Sequence, residues 1–406
     1  MGNTPNIAVI GGGAAGFFGA VTAANAGATV TLFEKTNKLL AKVKVSGGGR
    51  CNVTHHCFNA NELAKHYPRG GKELKKAFYE FQAEDTVNWY ESRGVKLKAE
   101  ADGRMFPVTD DSQTIIDCLM REIKKTGVKI ITGAGITKLE PTEKGILLHF
   151  NDGTKSAFDK VLIATGGSPK LEGFNWLKEL GHTIEPPVPS LFTFNIPHSK
   201  LDGLMGTSKA ETEVKIIGTK LSYQGPTLIT HWGISGPAVL KLSAWGARIL
   251  HDTDYKFTAS INWTPEHNED SLREYLIDYK SSNQQKQVFK HTLLNIPNRL
   301  WVRLCEIAEI KEPTRWADLP KKNLNKLVNE IVNCQLAAHG KTTFKEEFVT
   351  CGGVSLNDIN FKTMESKVVT NLYFAGEVLD IDGITGGFNF QAAWTTGYLA
   401  GKAINS

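Results

Sequence analysis

A glycine-rich stretch near the start of the chain constrains its fold more than any other feature. The apolar run NIAVI at 6–10 lacks helical periodicity, and an alanine-rich stretch ending at Gly27 follows the glycines. This pattern predicts a strand, a tight turn and a helix. Gly11, Gly13 and Gly16 have G-x-G-x-x-G spacing, in which the glycines permit the turn, the approach of a pyrophosphate and close helix–strand packing. Free amides at the helix start would then face the anion.

A second predicted strand, ATVTLFE at 28–34, ends in a carboxylate. Glu34 stands at the distance from the glycines at which an acidic residue accepts hydrogen bonds from an adenosine ribose, and its charge disfavours a 2′-phosphate. A glycine turn by itself also fits an unrelated α/β protein. The strand, the helix and the terminal acid together predict dinucleotide binding.

Two distant segments indicate that the dinucleotide is FAD. DKVLIATGG at 159–167 is an apolar strand that runs into a turn of small residues, which can pass close to a bound nucleotide. The segment 371–401 contains another strand, then Gly376 and Glu377, a glycine-rich loop and a small-residue helix. Its carboxylate can accept hydrogen bonds from ribityl or ribose hydroxyls. Its helix N-terminus can face the negative charge at the pyrimidine end of a reduced flavin.

With these segments the sequence resembles the two-dinucleotide-binding-fold flavoproteins, and within them the BaiN/RdsA, or aminoacetone-oxidase-like, family. The resemblance covers nearly the whole chain and rests on GGGAAG at 11–16, KVSGGGRCNVT at 44–54, GRMFPVTDDSQT at 103–114, ATGG at 164–167, THWGISGPAVL at 230–240, TCGGVSL at 350–356 and GITGGFNFQAA at 383–393. It implies an FAD-dependent oxidoreductase. Activities known in similar proteins are reduction of conjugated double bonds in steroid-like molecules and oxidation of aminoacetone, and the resemblance does not choose between them.

The resemblance also implies cofactor contacts. Glu34 would contact the adenosine ribose, the 42–52 loop would lie along the FAD, and the backbone near Ile136 would touch adenine. The cofactor-binding residues expected on these grounds are Gly11, Gly13, Ala14, Ala15, Gly16, Glu34, Lys35, Lys42, Ser46, Gly47, Gly49, Arg50, Cys51, Asn52, Ile136, Thr165, Gly166, Gly376, Glu377, Gly386, Gly387, Asn389, Phe390 and Gln391. Arg50 either offers its planar fork to a phosphate or flavin carbonyl or caps a loop through backbone carbonyls.

We predict an α/β fold with a discontinuous Rossmann-like FAD-binding domain at 1–190 and 351–406, because its motifs lie at both ends of the chain. An inserted β-barrel-like domain at 191–263 and 339–350 would carry a small helical subdomain at 264–338. The prolines of EPPVPS at 185–190, which oppose helix and regular internal strand alike, suggest the first boundary. Strand character is expected again at 342–350.

Composition gives few clues to partners. The net charge of +5 comes from 47 basic and 42 acidic residues without a basic block, so neither nucleic acid nor a membrane is expected as a partner. The six cysteines form no C-x-x-C pair, which argues against zinc or another structural metal and against a disulfide framework. We expect a cytoplasmic protein that acts on a small molecule, and the sequence does not indicate its oligomeric state.

The catalytic residues cannot be named from the sequence. His231 can donate to a substrate carbonyl or move a proton, or it can be hydrogen-bonded within a packed turn. Arg104 can meet a substrate or be an exposed structural arginine. Cys51 and Cys57 could form a flavin-linked disulfide, although two reduced thiols fit their spacing better. NAD(P)H is a possible transient electron donor, and a flavin-dependent RNA-modifying protein or a non-catalytic flavin sensor are the alternative functions.

Overall fold

The computed structural model describes residues 4–342 and 349–405. They divide into two compact units. The first contains residues 4–190 and 349–405, and the second contains residues 191–342. Within these ranges, no helix is long and apolar enough to cross a membrane.

Both units combine short strands with helices. The strands are β1 (Asn6–Ile10), β2 (Thr29–Glu34), β3 (Thr54–His55), β4 (Leu97–Ala99), β5 (Arg104–Pro107), β6 (Lys129–Thr132), β7 (Ile136–Thr142), β8 (Gly145–Phe150), β9 (Lys155–Phe158), β10 (Lys160–Ile163), β11 (Ile184–Ser190), β12 (Thr193–Asn195), β13 (Ser208–Ile216), β14 (Ser222–Ile229), β15 (Gly233–Ser235), β16 (Lys256–Asn262), β17 (Cys334–His339), β18 (Lys341–Thr342), β19 (Val349–Val354), β20 (Ile359–Asn360), β21 (Glu365–Ser366) and β22 (Leu372–Phe374). The helices are α1 (Ala14–Asn25), α2 (Ala41–Gly49), α3 (Ala60–Ala64), α4 (Gly71–Phe78), α5 (Ala83–Glu91), α6 (Gln113–Thr126), α7 (Asn175–Lys178), α8 (Pro237–Trp245), α9 (Ala247–Asp252), α10 (Glu269–Ser282), α11 (Asn298–Ile307), α12 (Lys321–Val332) and α13 (Phe388–Ala403).

The first unit is built on a sheet with the strand order β20-β21-β22-β10-β1-β2-β6. Its β22, β10, β1, β2 and β6 are parallel, as the register pairs Ile10 with Ile163 and with Phe33. The central strand β1 is almost wholly buried, which suits its run of isoleucine, alanine and valine. The predicted α/β fold with a Rossmann-like sheet is confirmed.

Helices α1 and α13 pack on each other in parallel, with backbone in contact. A Cβ built on Gly397 would lie 2.7 Å from the Ala15 carbonyl oxygen, and one built on Gly401 would lie 2.5 Å from the Gly19 carbonyl oxygen. Successive turns of α13 therefore meet successive turns of α1. Because the helices run the same way, both of their N-termini lie at the carboxyl end of the parallel strands.

The prolines at 185–190 lie in β11, which pairs antiparallel with β19 in a two-stranded sheet and has a register shift between Glu185 and Val188, so it is not a regular internal strand. Proline is tolerated in such a strand because few ladder hydrogen bonds need its missing N–H. The 42–52 segment is not wholly loop, since it begins within α2 and leaves helical backbone geometry only at Ser46–Gly48.

The second unit contains an antiparallel sheet with the order β17-β16-β13-β14-β15-β12-β18. Helices α10, α11 and α12 interrupt it, as the predicted helical segment requires. Leu324, Leu327, Val328 and Ile331 are buried along one face of α12. The helical character ends at Val332, however, so the predicted boundary at 338 falls inside β17.

The strand expected at 342–350 lies mostly outside the described residues, which exclude 343–348. Residues 349 and 350 belong to β19, which pairs with β11 in the first unit. The boundary expected after 350 therefore falls within a strand. Helix α8 begins at Pro237 with Gly236 as its N-cap, directly after β15 ends at Ser235.

Candidate functional site

The predicted cofactor motifs of the first unit meet at one edge of the parallel sheet. Each motif directly follows the carboxyl end of a strand: the glycine turn follows β1, Glu34 closes β2, the ATGG turn follows β10, and Gly376 follows β22. Ile136 comes shortly after β6. In open parallel sheets ligands bind outside this edge, where free amides and loop side chains converge.

The glycine turn has the shape that its spacing predicts. Gly11 has a φ of 115°, and a Cβ there would lie 2.3 Å from the Ala164 carbonyl oxygen. A Cβ on Gly16 would lie 2.0 Å from the Gly11 carbonyl oxygen, so the helix can approach the turn only without a side chain. Beside Gly13, the N-cap of α1, a Cβ would meet no described atom within 4 Å. That open side of the turn is where an anion can reach the amides of α1.

Glu34 is held in place by its neighbours. Its Oε2 accepts a hydrogen bond from the Gly12 amide at 2.9 Å, and its Oε1 accepts from the Thr36 amide and hydroxyl, each at 2.9 Å. The Ala134 amide donates to the Glu34 carbonyl oxygen at 3.0 Å, which places the segment before Ile136 beside Glu34. The predicted ribose-binding and adenine-binding residues therefore lie next to each other. Lys35 is exposed.

The two ends of the chain touch at Gly376. Its φ is 77°, and a Cβ there would lie 2.8 Å from the Cβ of Ala15 in the first turn of α1. The Gly376 amide donates to the Thr396 hydroxyl at 2.9 Å. Ala14 and Ala15 thus lie beside the C-terminal motif, although more than 350 residues separate the two in the sequence.

Glu377 connects three segments. Its Oε2 pairs with the ammonium of Lys42 at 2.7 Å, and its Oε1 accepts from the Thr350 amide at 2.9 Å. A Cβ on Gly167 would lie 3.1 Å from Glu377 Oε1. The Thr350 hydroxyl beside it is buried and has no hydrogen-bond partner among the described residues. Lys42, Glu377 and the ATGG turn therefore form one polar group of residues, with a hydroxyl available to a ligand.

The second glycine motif also reaches the C-terminal loop. With the Asn52 amide oriented by its hydrogen bonds, Oδ1 accepts from the Gly387 amide at 2.9 Å and Nδ2 donates to the Thr54 carbonyl oxygen at 3.0 Å. The His55 ring donates from Nδ1 to the Gly386 carbonyl oxygen at 3.0 Å. Asn389 Oδ1 accepts from the Gly383 amide at 2.8 Å, and Asn389 Nδ2 donates to the Gly383 carbonyl oxygen at 2.9 Å. Residues around 52 therefore border the start of α13.

Comparison with known proteins shows the family of this chain. The profile of the HI0933-like protein Rossmann domain matches residues 5–403. The chain belongs to this family. A ribosomal RNA dihydrouridine synthase from Haemophilus influenzae is 31% identical over 409 residues, 98% of each chain. A 3-dehydro-bile acid delta(4,6)-reductase from Clostridium scindens is 28% identical over 410 residues, 98% of each chain.

Among solved structures, a 3-ketosteroid-delta4-(5alpha)-dehydrogenase from Rhodococcus jostii RHA1 superposes with a TM-score of 0.53 at 13% identity. The match covers 100% of this chain and 97% of that one. At this identity the likeness shows a shared fold. The HI0933-like family therefore uses a fold that other oxidoreductases also have, and the suspected resemblance to the BaiN/RdsA group is confirmed.

Two predicted contact residues of this family member are committed to other partners. The Arg50 guanidinium pairs with Glu100 at 2.7 Å and with Asp110 at 3.5 Å, and it stacks on Phe106 at 4.0 Å. These carboxylates raise the pKa of Arg50. These carboxylates lie in the β4–β5 hairpin and in the turn after it, and the contact of Arg50 with the cofactor stays a prediction.

Gln391 points into the protein. Its side chain is fully buried, Oε1 accepts from the hydroxyls of Thr54 at 2.6 Å and Thr86 at 2.9 Å, and Nε2 donates to Thr395 at 3.0 Å. A side chain with these bonds holds α13 in place, and the contact of Gln391 with the flavin stays a prediction. The adjacent Phe390 is partly exposed and stacks on Trp394 at 5.6 Å.

The remaining predicted residues near 50 vary in exposure. The Ser46 hydroxyl donates to the Val43 carbonyl oxygen at 3.0 Å. Gly47 faces Phe106, whereas a Cβ on Gly49 would meet no described atom within 4 Å. Cys51 is buried, and its burial raises the thiol pKa to about 12. Within the described residues no disulfide bond links Cys51 to Cys57.

The two catalytic candidates fall in different units. Arg104 donates from Nε to Asp102 at 2.7 Å and from Nη2 to Glu100 at 2.8 Å, so carboxylates occupy both sides of its guanidinium. His231 is exposed and belongs to the second unit. Its catalytic role stays a prediction. Among the described residues no cluster of histidine, cysteine and acidic side chains could hold a metal ion.

Sequence reasoning missed one group at this edge. Arg69 donates to the Asp382 carboxylate from Nε and from Nη2, and the Ser190 hydroxyl donates to the same carboxylate at 2.7 Å. Asp382 stands just before the last glycine motif, but nothing in HYPRG at 66–70 points to cofactor binding. The signal that the sequence offered was two acidic residues, Asp380 and Asp382, at the start of a loop whose other residues are mostly small or apolar.

Proposed function

We propose that this protein is an FAD-dependent oxidoreductase that saturates a carbon–carbon double bond conjugated to a carbonyl group. The observation that carries the cofactor assignment is the parallel packing of α1 and α13, which brings two helix N-termini to the same edge of the sheet. One N-terminus suits a diphosphate and the other suits a flavin ring that gains negative charge on reduction. Bound FAD supplies two-electron transfer to and from the substrate.

The residues at this edge fit such a cofactor. Glu34 is held ready to accept from ribose hydroxyls, and the open side of Gly13 leaves room for the diphosphate. Lys42 and Glu377, with the Thr350 hydroxyl beside them, offer donors and acceptors for a polyhydroxyl chain. Arg50 and Gln391 stay in the proposed contact set, although their side chains also have partners within the chain.

The reaction class is inferred from a property that two relatives share. A delta(4,6)-reductase of a 3-dehydro-bile acid and a dihydrouridine synthase both add two hydrogens across a double bond conjugated with a carbonyl. We propose NADH or NADPH as the electron donor. Since the sequence contains no second G-x-G-x-x-G unit, the nicotinamide would bind transiently beside the flavin. Amine oxidation, the other activity that the sequence allowed, has no counterpart among these relatives.

The first candidate substrate is a steroid-like enone. The second is a uracil base in RNA, and a specific observation favours it: the dihydrouridine synthase relative covers 98% of this chain at 31% identity. The evenly mixed charge, with 47 basic and 42 acidic residues, argues against an RNA partner, since RNA binding usually relies on a contiguous basic surface.

The test uses purified holo-protein under anaerobic conditions. We expect NADH or NADPH to bleach the flavin absorbance, and we expect either a 3-oxo-4-ene steroid or a uridine-containing ribosomal RNA transcript to restore it. Product analysis by mass spectrometry should show a gain of two hydrogens. A transcript with dihydrouridine in place of uridine is the matched control for the RNA arm.

Recovery with the steroid alone assigns a small-molecule reductase, and recovery with uridine-containing RNA alone assigns an RNA-modifying enzyme. Bleaching by an amine without nicotinamide would contradict the reductase proposal and favour an oxidase. A protein that binds FAD but is never reduced by a nicotinamide or an amine would be a flavin sensor.

A further inference from the structure

The loop that leads into α13 is fastened to a segment far away in the sequence. We call residues 379–388 the C-terminal loop and residues 66–70 the HYPRG segment. The Ile384 amide donates to the His66 carbonyl oxygen at 3.0 Å, and the Tyr67 hydroxyl donates to the Phe388 carbonyl oxygen at 2.7 Å. The C-terminal loop is therefore held at its middle and at its end.

The strongest of these attachments is ionic and buried. The Asp382 side chain has no exposed surface, and Arg69 donates to it from Nε at 2.5 Å and from Nη2. A hydroxyl hydrogen bond from Ser190, at 2.7 Å, completes the set. Charge-assisted bidentate pairs of this kind fix geometry as well as charge. Burial raises the pKa of Asp382 to about 6, and the neighbouring Arg69 opposes this shift.

The position of this pair matters because Asp382 stands shortly before the start of α13. Gly383, next to Asp382, is clasped by the Asn389 amide, and α13 begins at Phe388. Gly387, the N-cap of α13, has a φ of 93° and is bonded by Asn52. The direction of the first amides of α13 therefore depends on where Asp382 holds the C-terminal loop.

We propose that Asp382, held by Arg69, is a positioning residue that aims the first amides of α13 at the flavin and so raises its reduction potential. This inference rests on the function proposed above. Aligned amides at a helix N-terminus stabilise negative charge, which a flavin gains on reduction. A loosened C-terminal loop would therefore stabilise the reduced flavin less and lower its potential.

The experiment compares Asp382→Asn with a matched control in full-length holo-protein. The control is Glu122→Gln, because Glu122 on α6 is also buried and pairs with an arginine, Arg93 Nε at 2.9 Å, away from the C-terminal loop. The reduction potential is measured by equilibration with a redox dye. Hydrogen exchange of residues 379–389 is followed in the apo-protein.

For Asp382→Asn we expect reduced flavin to bind about tenfold more weakly relative to oxidised flavin, which is a shift of about −30 mV for a two-electron couple. Exchange of the Ile384 amide should become faster. Glu122→Gln should leave both measurements unchanged, even where it lowers the melting temperature. If Asp382→Asn does not fold, Arg69→Lys keeps the charge, loses the bidentate fork and is expected to shift the potential the same way.

The outcomes separate the two proposals. A wild-type protein that takes up no FAD removes the proposed function and this inference together. If the wild type binds FAD but the potential is the same in Asp382→Asn, or equally shifted in Glu122→Gln, then only the positioning role is overturned.

Discussion

Replacing Glu34 with alanine tests the proposed adenosine end of the site. Its carboxylate has about four acceptor positions, and Gly12 and Thr36 use three of them. At least one position remains for a ribose hydroxyl, and the flexible Thr36 hydroxyl can release another. A hydrogen bond to a charged group contributes about 1.5–3 kcal/mol. We therefore expect the Kd of FAD to rise roughly 10- to 150-fold.

The assay is calorimetric titration of apo-protein with FAD, ADP and FMN. The loss should appear with FAD and ADP, which carry the adenosine ribose, and not with FMN, which lacks it. Thr36→Ala is the matched control, because it removes one hydroxyl bond to Glu34 but leaves the carboxylate. We expect the control to change the affinity for FAD by less than the main variant does.

Two results would refute this reasoning. An FAD affinity within about twofold of the wild type would mean that Glu34 only braces the glycine turn, since a charge-assisted bond contributes more than that. An equal loss of FAD and FMN would mean that the substitution deforms the whole edge of the sheet. In the second case, the Gly12 amide left without its acceptor would be the physical cause.

The remaining predictions concern reactivity, pH and packing. A thiol reagent at pH 8 should label the half-buried Cys57 faster than Cys51, whose buried thiol has its pKa raised to about 12. Burial lowers the pKa of His182, so the unfolded chain binds more protons than the folded one. The free energy of unfolding should therefore fall as the pH drops below the pKa of free histidine. Urea titrations of His182→Asn should show a smaller fall. Gly401→Ala should reduce the free energy of unfolding by up to about 2 kcal/mol, measured the same way.

Local spacing made the first half of the site predictable. The strand, turn and helix at 6–25 and the acid at 34 lie within one βαβ unit. In it, Gly11 and Gly16 stand where a side chain would be too close to neighbouring atoms. The parallel sheet follows from the same alternation of strands and helices. Sequence alone therefore predicted which residues lie at the carboxyl edge.

Partners distant in sequence could not be predicted. Arg69 and Asp382 are 313 positions apart, and neither belongs to a spacing that a local rule describes. Arg50 lies in a glycine motif, but its guanidinium reaches a carboxylate 50 residues away. A long charged side chain can pair with several partners at similar energy, and the tertiary fold determines which of them lies within reach. The side chain of Gln391 is uncharged, but its direction also depends on the tertiary fold, because three threonine hydroxyls far apart in the sequence bond its amide.

The contact between α1 and α13 allows Gly401→Ala to separate stability from cofactor binding. The added Cβ would lie 2.5 Å from the Gly19 carbonyl oxygen, so the helices must move apart. Overpacking costs about 1–3 kcal/mol, and the gain in helix propensity of about 1 kcal/mol offsets part of it.

This contact lies 13 residues after the start of α13, or about 20 Å along the helix, so the affinity for FAD should hardly change. Gly376→Ala, with a φ of 77° and a Cβ 2.8 Å from that of Ala15, disturbs the site itself and should weaken FAD binding. Equal losses of FAD affinity in both variants would show that the two helices instead move as one rigid pair.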